Sequence, residues 1–232
     1  MLILGLQKTT LLDYPGHLAS TMFTGGCNFR CPYCHNGDLV LNPSKYPRLE
    51  VSDVLAHLSK RKNVLDGICI TGGEPTLQSD LIDFIYSVKA LNLKVKLDTN
   101  GTNPDMLLNL LKMNLLDYVA MDIKHSQEKY NLVSKMPCFD LSAIEKSVDI
   151  LKQCSIDYEF RTTVAHPLHT VEDMKSIGQW LHGCKAYYLQ NYKQSDQVID
   201  KSFSPIANDV LSGFVDAIIP YVPSVKIRGM ED

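Results

Sequence analysis

The stretch Ala19-Ser-Thr-Met-Phe-Thr24-Gly-Gly-Cys27-Asn-Phe-Arg-Cys31-Pro-Tyr-Cys34 joins a β-strand pattern to a cysteine-rich loop, with only Gly25 and Gly26 between them. Three of the chain's seven cysteines are crowded into this loop, at 27, 31 and 34. Cys69, Cys138, Cys154 and Cys184 are scattered singly. An odd number of cysteines closes no disulfide framework, and in a reducing compartment a tight cluster reads as a metal site. The scattered four read as small buried side chains; Cys69, for instance, sits in the apolar run Gly67-Ile-Cys-Ile70.

Outward from this stretch, apolar runs alternate with helical patterns. Strands are expected at about 19–24, 67–71, 93–99, 117–122, 156–165 and 186–190, and helices at about 51–62, 79–91, 104–113, 142–153, 171–182 and 204–219. Leu93, Val95 and Leu97 alternate with Lys94 and Lys96, Pro104 suits a first helical position, and Ser142-Ala-Ile-Glu145 forms a capping-box pattern. A short Val225-Lys-Ile227 segment follows the last helix, and residues 1–18 read as an N-terminal extension of a single domain over 1–232.

Six β–α units in succession predict a parallel sheet with helices outside it. The cysteine loop, Gly72-Gly73-Glu74, Asp98-Thr-Asn100, Asp122-Ile-Lys124 and Arg161 all lie at or beyond the C-terminal halves of successive strands. In an open sheet few strands contribute to a site, whereas in a barrel the whole rim does. Six units fall short of a full eightfold barrel, so the expected fold is α/β, a partial (β/α)6 barrel of the TIM type.

Composition narrows the function classes. The 232 residues are 45% hydrophobic and 21% charged, enough for a sizeable core. With 23 basic and 26 acidic side chains the net charge is −3, which gives no electrostatic footprint for nucleic acid. No apolar run approaches the ~18 residues of a membrane span, and the run at Met1-Leu-Ile-Leu4 is too short for a signal peptide. A cytoplasmic protein with no membrane partner is expected.

Soft thiolates select zinc or iron–sulfur clusters. Cys27, Cys31 and Cys34 with His35 would make a Cys3His zinc site, but adjacent Cys34 and His35 fit poorly on one ion. A cubane cluster usually takes four cysteines. Three would leave one iron without a protein ligand, free to bind a small molecule and pass it an electron.

Cys27-x3-Cys31-x2-Cys34, with Tyr33 before the third cysteine, resembles the signature of the radical S-adenosylmethionine (SAM) enzymes. Gly72-Gly73-Glu74 at the end of the next strand resembles that superfamily's second motif, and the β–α order extends the likeness over nearly the whole chain. The resemblance implies a radical SAM core in which a [4Fe–4S] cluster on Cys27, Cys31 and Cys34 reduces SAM. A carbon–sulfur bond breaks, methionine leaves, and a 5′-deoxyadenosyl radical abstracts a hydrogen atom. The cofactors carry that chemistry, which explains why no nucleophile–base pair stands out.

The resemblance also implies cofactor contacts. Tyr33, Cys34 and His35 would lie against the adenine, Gly73 would admit the methionine end of SAM, and Glu74 would accept from its ammonium or shape the loop before Pro75. Asp98, Thr99 and Asp122 resemble a set that holds a monovalent cation near the SAM carboxylate, and Lys124 would reach SAM. Arg161 would bury a cation unless paired with a carboxylate, either from SAM or from an acid such as Glu159. Pyruvate formate-lyase activases carry a histidine after the sixth strand where this chain has Leu189-Gln190-Asn191-Tyr192, so that role is not carried over. His166 and His169 read as solvated or capping residues.

Leu11-Leu-Asp-Tyr-Pro-Gly16 ahead of the cysteine loop resembles the activating proteins of anaerobic ribonucleoside-triphosphate reductase, although the same residues equally suit a β-turn. The partner so implied is a large glycyl radical enzyme, with a flavodoxin- or ferredoxin-type electron donor. A pyruvate formate-lyase-type activase and an enzyme acting on a small molecule or peptide are the alternatives.

Overall fold

The computed structural model describes residues 1–137 and 139–229; Cys138 lies outside them. One sheet runs in the order β1-β2-β3-β4-β5-β6-β7-β8. The strands are β1 (Ile3–Thr10), β2 (Ala19–Thr24), β3 (Gly67–Gly72), β4 (Lys94–Thr99), β5 (Tyr118–Asp122), β6 (Asp157–Val164), β7 (Tyr187–Asn191) and β8 (Val225–Arg228). From β2 to β8 all pairings are parallel, while β1 pairs antiparallel with β2. Among the described residues β8 does not pair back to β1, so the wall stays open and the barrel is partial.

Among the described residues, eight helices accompany the strands: α1 (Gly37–Leu41), α2 (Val51–Arg61), α3 (Leu81–Lys89), α4 (Pro104–Lys112), α5 (Tyr130–Ser134), α6 (Ser142–Gln153), α7 (Val171–Trp180) and α8 (Asn208–Ile218). The six expected strands and six expected helices are all present, with ends moved by a few residues. The structure adds two short helices, α1 and α5, and differs most in the N-terminal extension. Ile3–Thr10 is a strand, although its Gln7, Lys8 and Thr9 are exposed. It forms by pairing with β2, which a local pattern does not report. The expected capping box at Ser142 is also absent: Ser142 donates from its backbone and its hydroxyl to Asp140, at 2.9 and 2.7 Å. The box instead opens α7, where Thr170 and Asp173 cap each other.

Leu11–Gly16 folds under the barrel, at the N-terminal ends of the strands. His17 N–H donates to the Tyr14 carbonyl at 3.0 Å with Gly16 at φ 74°, the turn that the Tyr-Pro-Gly sequence predicts. Asp13 accepts from the Thr21 hydroxyl at 2.6 Å, and the buried Tyr14 ring lies 6.0 Å from that of Tyr118.

Apolar burial is one-sided. Ile68, Ile70, Val95, Leu97, Val119, Met121 and Phe160 have no exposed surface and pack in a shell with Val54, Leu58, Ile85, Leu110 and Leu151 of the helices. The alternate residues on the same strands face inward, as the strand period of two requires. They include Cys69, Lys96, Asp98, Tyr118, Asp122, Glu159 and Arg161, which bond to one another across the barrel. The interior is therefore polar, and the core is a sleeve around it.

Candidate active site

All twelve residues singled out from the sequence line one cavity of about 210 Å³ at the C-terminal end of the strands: Cys27, Cys31, Tyr33, Cys34, His35, Gly73, Glu74, Asp98, Thr99, Asp122, Lys124 and Arg161. Thr163 and Gln190, from β6 and β7, complete the far wall.

The cysteine loop is held by its backbone. Arg30 N–H donates to the Ser134 carbonyl at 2.9 Å, Asp200 N–H to that of Pro32 at 2.8 Å, and Cys34 N–H to that of Cys31 at 3.1 Å. The Arg30 guanidinium folds back on the carbonyls of Cys27 and Phe29, at 2.6 and 2.8 Å. Burial pushes the Cys27 thiol up to about 11, the Cys31 thiol up to about 12, and that of Cys34 upward as well. As free thiols they stay neutral, whereas a coordinated metal deprotonates them. Among the described residues, no three His, Cys, Asp or Glu side chains converge on one point as ligands of a single ion. Three thiols around one cavity suit a cluster, whose several irons space its ligands apart. Phe29 N–H and Asn100 Nδ2 donate to Cys27 Sγ at 3.3 and 3.7 Å, contacts that would tune the potential of a cluster held there. His35 turns away from this set, its Nε2 lying 2.7 Å from the Lys193 carbonyl oxygen.

The glycine of the second motif also has a reason in the packing of the protein itself. A Cβ on Gly73 would stand 1.8 Å from the Gly26 carbonyl oxygen, so the residue is small because the β3 loop lies directly on the cysteine loop. Glu74 N–H donates to that same oxygen at 2.9 Å, and Gly73 N–H to the Thr24 carbonyl at 2.8 Å.

Glu74 is held by protein donors on both of its oxygens. Its Oε1 accepts from Thr76 N–H (3.1 Å), the Thr76 hydroxyl (2.6 Å) and the Thr99 hydroxyl (2.7 Å), and its Oε2 from Asn100 N–H (2.6 Å). Burial raises its pKa, opposed by these hydrogen bonds. Glu74→Gln replaces an acceptor with a donor and strands at least one buried N–H. The expected cost is about 2 kcal/mol, or about 4–8 °C in thermal midpoint for a chain of this size. Circular dichroism melting checks this, and an unchanged midpoint would sink the structural role.

Along the cavity floor lies a line of charges. Asp98 and Asp122 project from β4 and β5, and Arg161, the register partner of Asp122, from β6. Arg161 donates through Nε to Asp122 Oδ1 at 2.9 Å and through Nη1 to Asp98 Oδ2 at 3.2 Å. Lys124 donates to Asp122 Oδ2 at 2.9 Å. Burial would raise both carboxylates, but the neighbouring cations prevail: Arg161 and Lys124 hold Asp122 at about 2, and Arg161 and Lys96 hold Asp98 below its ordinary value. The acids that partner Arg161 are thus Asp98 and Asp122. Glu159 is engaged by Arg228, at 2.7 and 2.8 Å, and by the Tyr118 hydroxyl at 2.7 Å. Lys96, which donates to Asp98, was read from the sequence only as the polar face of a strand.

Behind Lys124 sits a buried histidine pair: His169, expected to be solvated or capping, is buried and caps a backbone N–H, and His125 joins it. His125 and His169 stack at 4.8 Å. The Nδ1 of each accepts a backbone N–H, from Ser126 at 2.8 Å and from Ala165 at 3.2 Å, so each presents Nε2–H to a carbonyl, that of Leu168 or Lys124. Burial, reinforced by His125, lowers His169 to about 4, and burial lowers His125. The unfolded chain takes up these protons first as pH falls. Stability is therefore full above about pH 6.5 and declines toward pH 4, by up to about 3 kcal/mol for His169. Urea unfolding between pH 7.5 and 4.5 checks this, with a flatter dependence expected for His169→Gln.

Residues 21–181 match the model of the radical SAM superfamily, and the chain belongs to that superfamily. A protein of Methanocaldococcus jannaschii named as a glycyl-radical enzyme activating enzyme is 32% identical over 211 residues, covering 88% of this chain and 85% of that one. The pyruvate formate-lyase-activating enzyme of Clostridium pasteurianum is 33% identical over 52% of this chain and 51% of its own length. Within the superfamily the chain groups with these activating enzymes. In fold it is similar to Streptococcus suis SuiB bound to S-adenosylmethionine, with a TM-score of 0.67 at 14% identity, covering 89% of this chain and 49% of that one. Among the described residues no helix is long and apolar enough to cross a membrane.

Proposed function

We propose that residues 1–232 form a single radical SAM domain that activates an anaerobic ribonucleoside-triphosphate reductase in the cytoplasm, by taking a hydrogen atom from one of its backbone glycines. The observation that carries this reading is the union of three thiols and a cationic carboxylate-binding floor in one cavity. Cys27, Cys31 and Cys34 would hold a [4Fe–4S] cluster, which when bound supplies the electron that splits SAM into methionine and a hydrogen-abstracting radical. Arg161 and Lys124 offer guanidinium and ammonium groups to the SAM carboxylate. Tyr33, Cys34 and His35 line the side expected to receive the adenine, and the packing of Gly73 on Gly26 fixes the loop that meets the methionine end.

A protein substrate is supported by the shape of the site. His35, Thr163 and Gln190 are shared with an adjoining hollow of about 300 Å³ that runs to Asn191, Lys193 and Arg228, beside the edge of β8 that is unpaired among the described residues. That extension suits an entering loop better than an enclosed small molecule. The choice of reductase rests on Leu11–Gly16 together with the cysteine loop. The relative from Clostridium pasteurianum supports a second reading, a pyruvate formate-lyase-type activase. A flavodoxin- or ferredoxin-type protein is the proposed electron donor.

The test is to reconstitute the protein anaerobically and supply reductant and SAM, with either an anaerobic reductase or pyruvate formate-lyase. A glycyl radical signal in electron paramagnetic resonance is expected on the reductase. A signal on the lyase alone would move the assignment to the second reading. No signal on either would overturn both.

A further inference from the structure

Lys96 stands in the middle of β4 with its side chain 2% exposed, inside the barrel. Lysine is almost never buried without a partner. Here Nζ donates to Asp98 Oδ1 and lies 3.6 Å from Cys69 Sγ. From Lys96 the ion pairs continue unbroken through Asp98, Arg161 and Asp122 to Lys124. The signs alternate, and three cations against two carboxylates leave one positive charge.

The residues that resemble cation ligands therefore do not fit an added monovalent cation. Asp98 gives one oxygen to Lys96 and the other to Arg161, and Asp122 divides its oxygens between Arg161 and Lys124. The Thr99 hydroxyl donates to Glu74 at 2.7 Å and accepts from Gly101 N–H at 3.1 Å. A further cation would enter as a fourth positive charge in a poorly solvated site.

We propose that Lys96 is a built-in counter-ion that takes the place of a bound monovalent cation, so that SAM binding by this protein requires neither potassium nor sodium. Lys96 is a positioning residue. It neutralises the inner oxygen of Asp98, leaves the outer one to Arg161, and so sets the guanidinium at the cavity floor where a carboxylate arrives. The inference rests on the reading of the cavity as a SAM site.

The experiment uses the anaerobically reconstituted holoprotein, with SAM binding measured by equilibrium dialysis. Potassium, sodium or tetramethylammonium is the only monovalent cation, at constant ionic strength. For the unaltered protein the dissociation constant is expected to vary by less than about twofold among the three. Lys96→Met is expected to bind SAM about tenfold more weakly in tetramethylammonium and to regain part of the loss in potassium. Lys96→Arg keeps the charge and is expected to stay within about threefold of the unaltered protein in every salt. Affinity of the unaltered protein that rises severalfold with potassium or sodium overturns the proposal, and that comparison needs no variant to fold. A folded Lys96→Met with undiminished affinity overturns it too. Absence of SAM binding in every salt instead defeats the SAM reading itself.

Discussion

Cys31→Ser is expected to give a folded protein without the iron–sulfur absorption of the reconstituted parent and without measurable SAM cleavage. Cys31 is the most deeply buried of the three loop thiols, and the one that burial pushes highest, to about 12. Only a metal deprotonates such a group at neutral pH, and a serine hydroxyl is a far poorer ligand for soft iron. Two remaining thiolates do not hold a cubane that already lacks a fourth cysteine. The fold is expected to survive because the loop is anchored through the backbone of Arg30, Pro32 and Cys34, not through the thiol. Iron content, the electron paramagnetic resonance signal of the reduced cluster and far-ultraviolet circular dichroism check the three parts separately. Cys154→Ser, remote from the cavity, is expected to keep its iron. Cleavage of SAM by the Cys31 variant at the parental rate would remove this cysteine from the site.

Arg161→Met is expected to be the most destabilising single change on the cavity floor. It leaves Asp98 and Asp122 facing each other in a partly buried place with only Lys96 and Lys124 to hold them. Removing one partner from a buried ionic network costs about 3–5 kcal/mol, which for a chain of this length lowers the thermal midpoint by about 6–20 °C. The difference from the parent has a predictable pH dependence. In the parent both carboxylates have depressed pKa values, about 2 for Asp122, so their contribution is present above the unfolded value near 3.8 and is lost as pH falls toward 2. The gap between parent and variant should therefore be widest near neutrality and narrow below pH 4. That window lies beneath the one in which the His125–His169 pair titrates. Denaturant unfolding of both proteins across pH checks it, and a gap that stays constant to pH 3 would show that the loss comes from packing instead of charge.

The site was legible because each of its parts ends a strand and carries its chemistry locally. Three thiols in eight residues, Gly-Gly-Glu after Gly67–Thr71, and acids closing two further strands are visible without knowing how the strands pair. What escaped depends on long-range partners. The alternation of Lys94 and Lys96 with Leu93, Val95 and Leu97 located β4 but not the environment of its polar face. Lys94 meets solvent at the strand end, whereas Lys96, two residues on, is sealed inside the barrel. For Glu74 the sequence left two roles open, ammonium acceptor or loop-shaping carboxylate, because two of its donors, Thr99 and Asn100, lie 25 and 26 residues away. For His169 the reading left solvated and capping roles open; it does cap Ala165 N–H, but its burial escaped because the ring that covers it, His125, comes from the loop after a different strand. Arg161 was correctly expected to need a carboxylate, but its own strand neighbour Glu159 was nearer in sequence than the acids across the sheet. Glu159 and Arg161 do share the inner face, and Arg228 reaches Glu159 from β8.

The contact between Gly26 and Gly73 bears on how such a protein changes partners. The two loops touch through main-chain atoms, with the Gly26 carbonyl accepting from Glu74 N–H and no room for even a methyl group between them. The spacing between the thiol-bearing loop and the loop after β3 is thus set by covalent geometry and cannot be retuned by exchanging side chains. The hollow beside β8, by contrast, is walled by Lys193, Arg228 and Asn191, whose side chains can be replaced one at a time. On the proposed function, rigidity at one end of the cavity and replaceable chemistry at the other would let recognition drift while the spacing of the two loops is inherited unchanged.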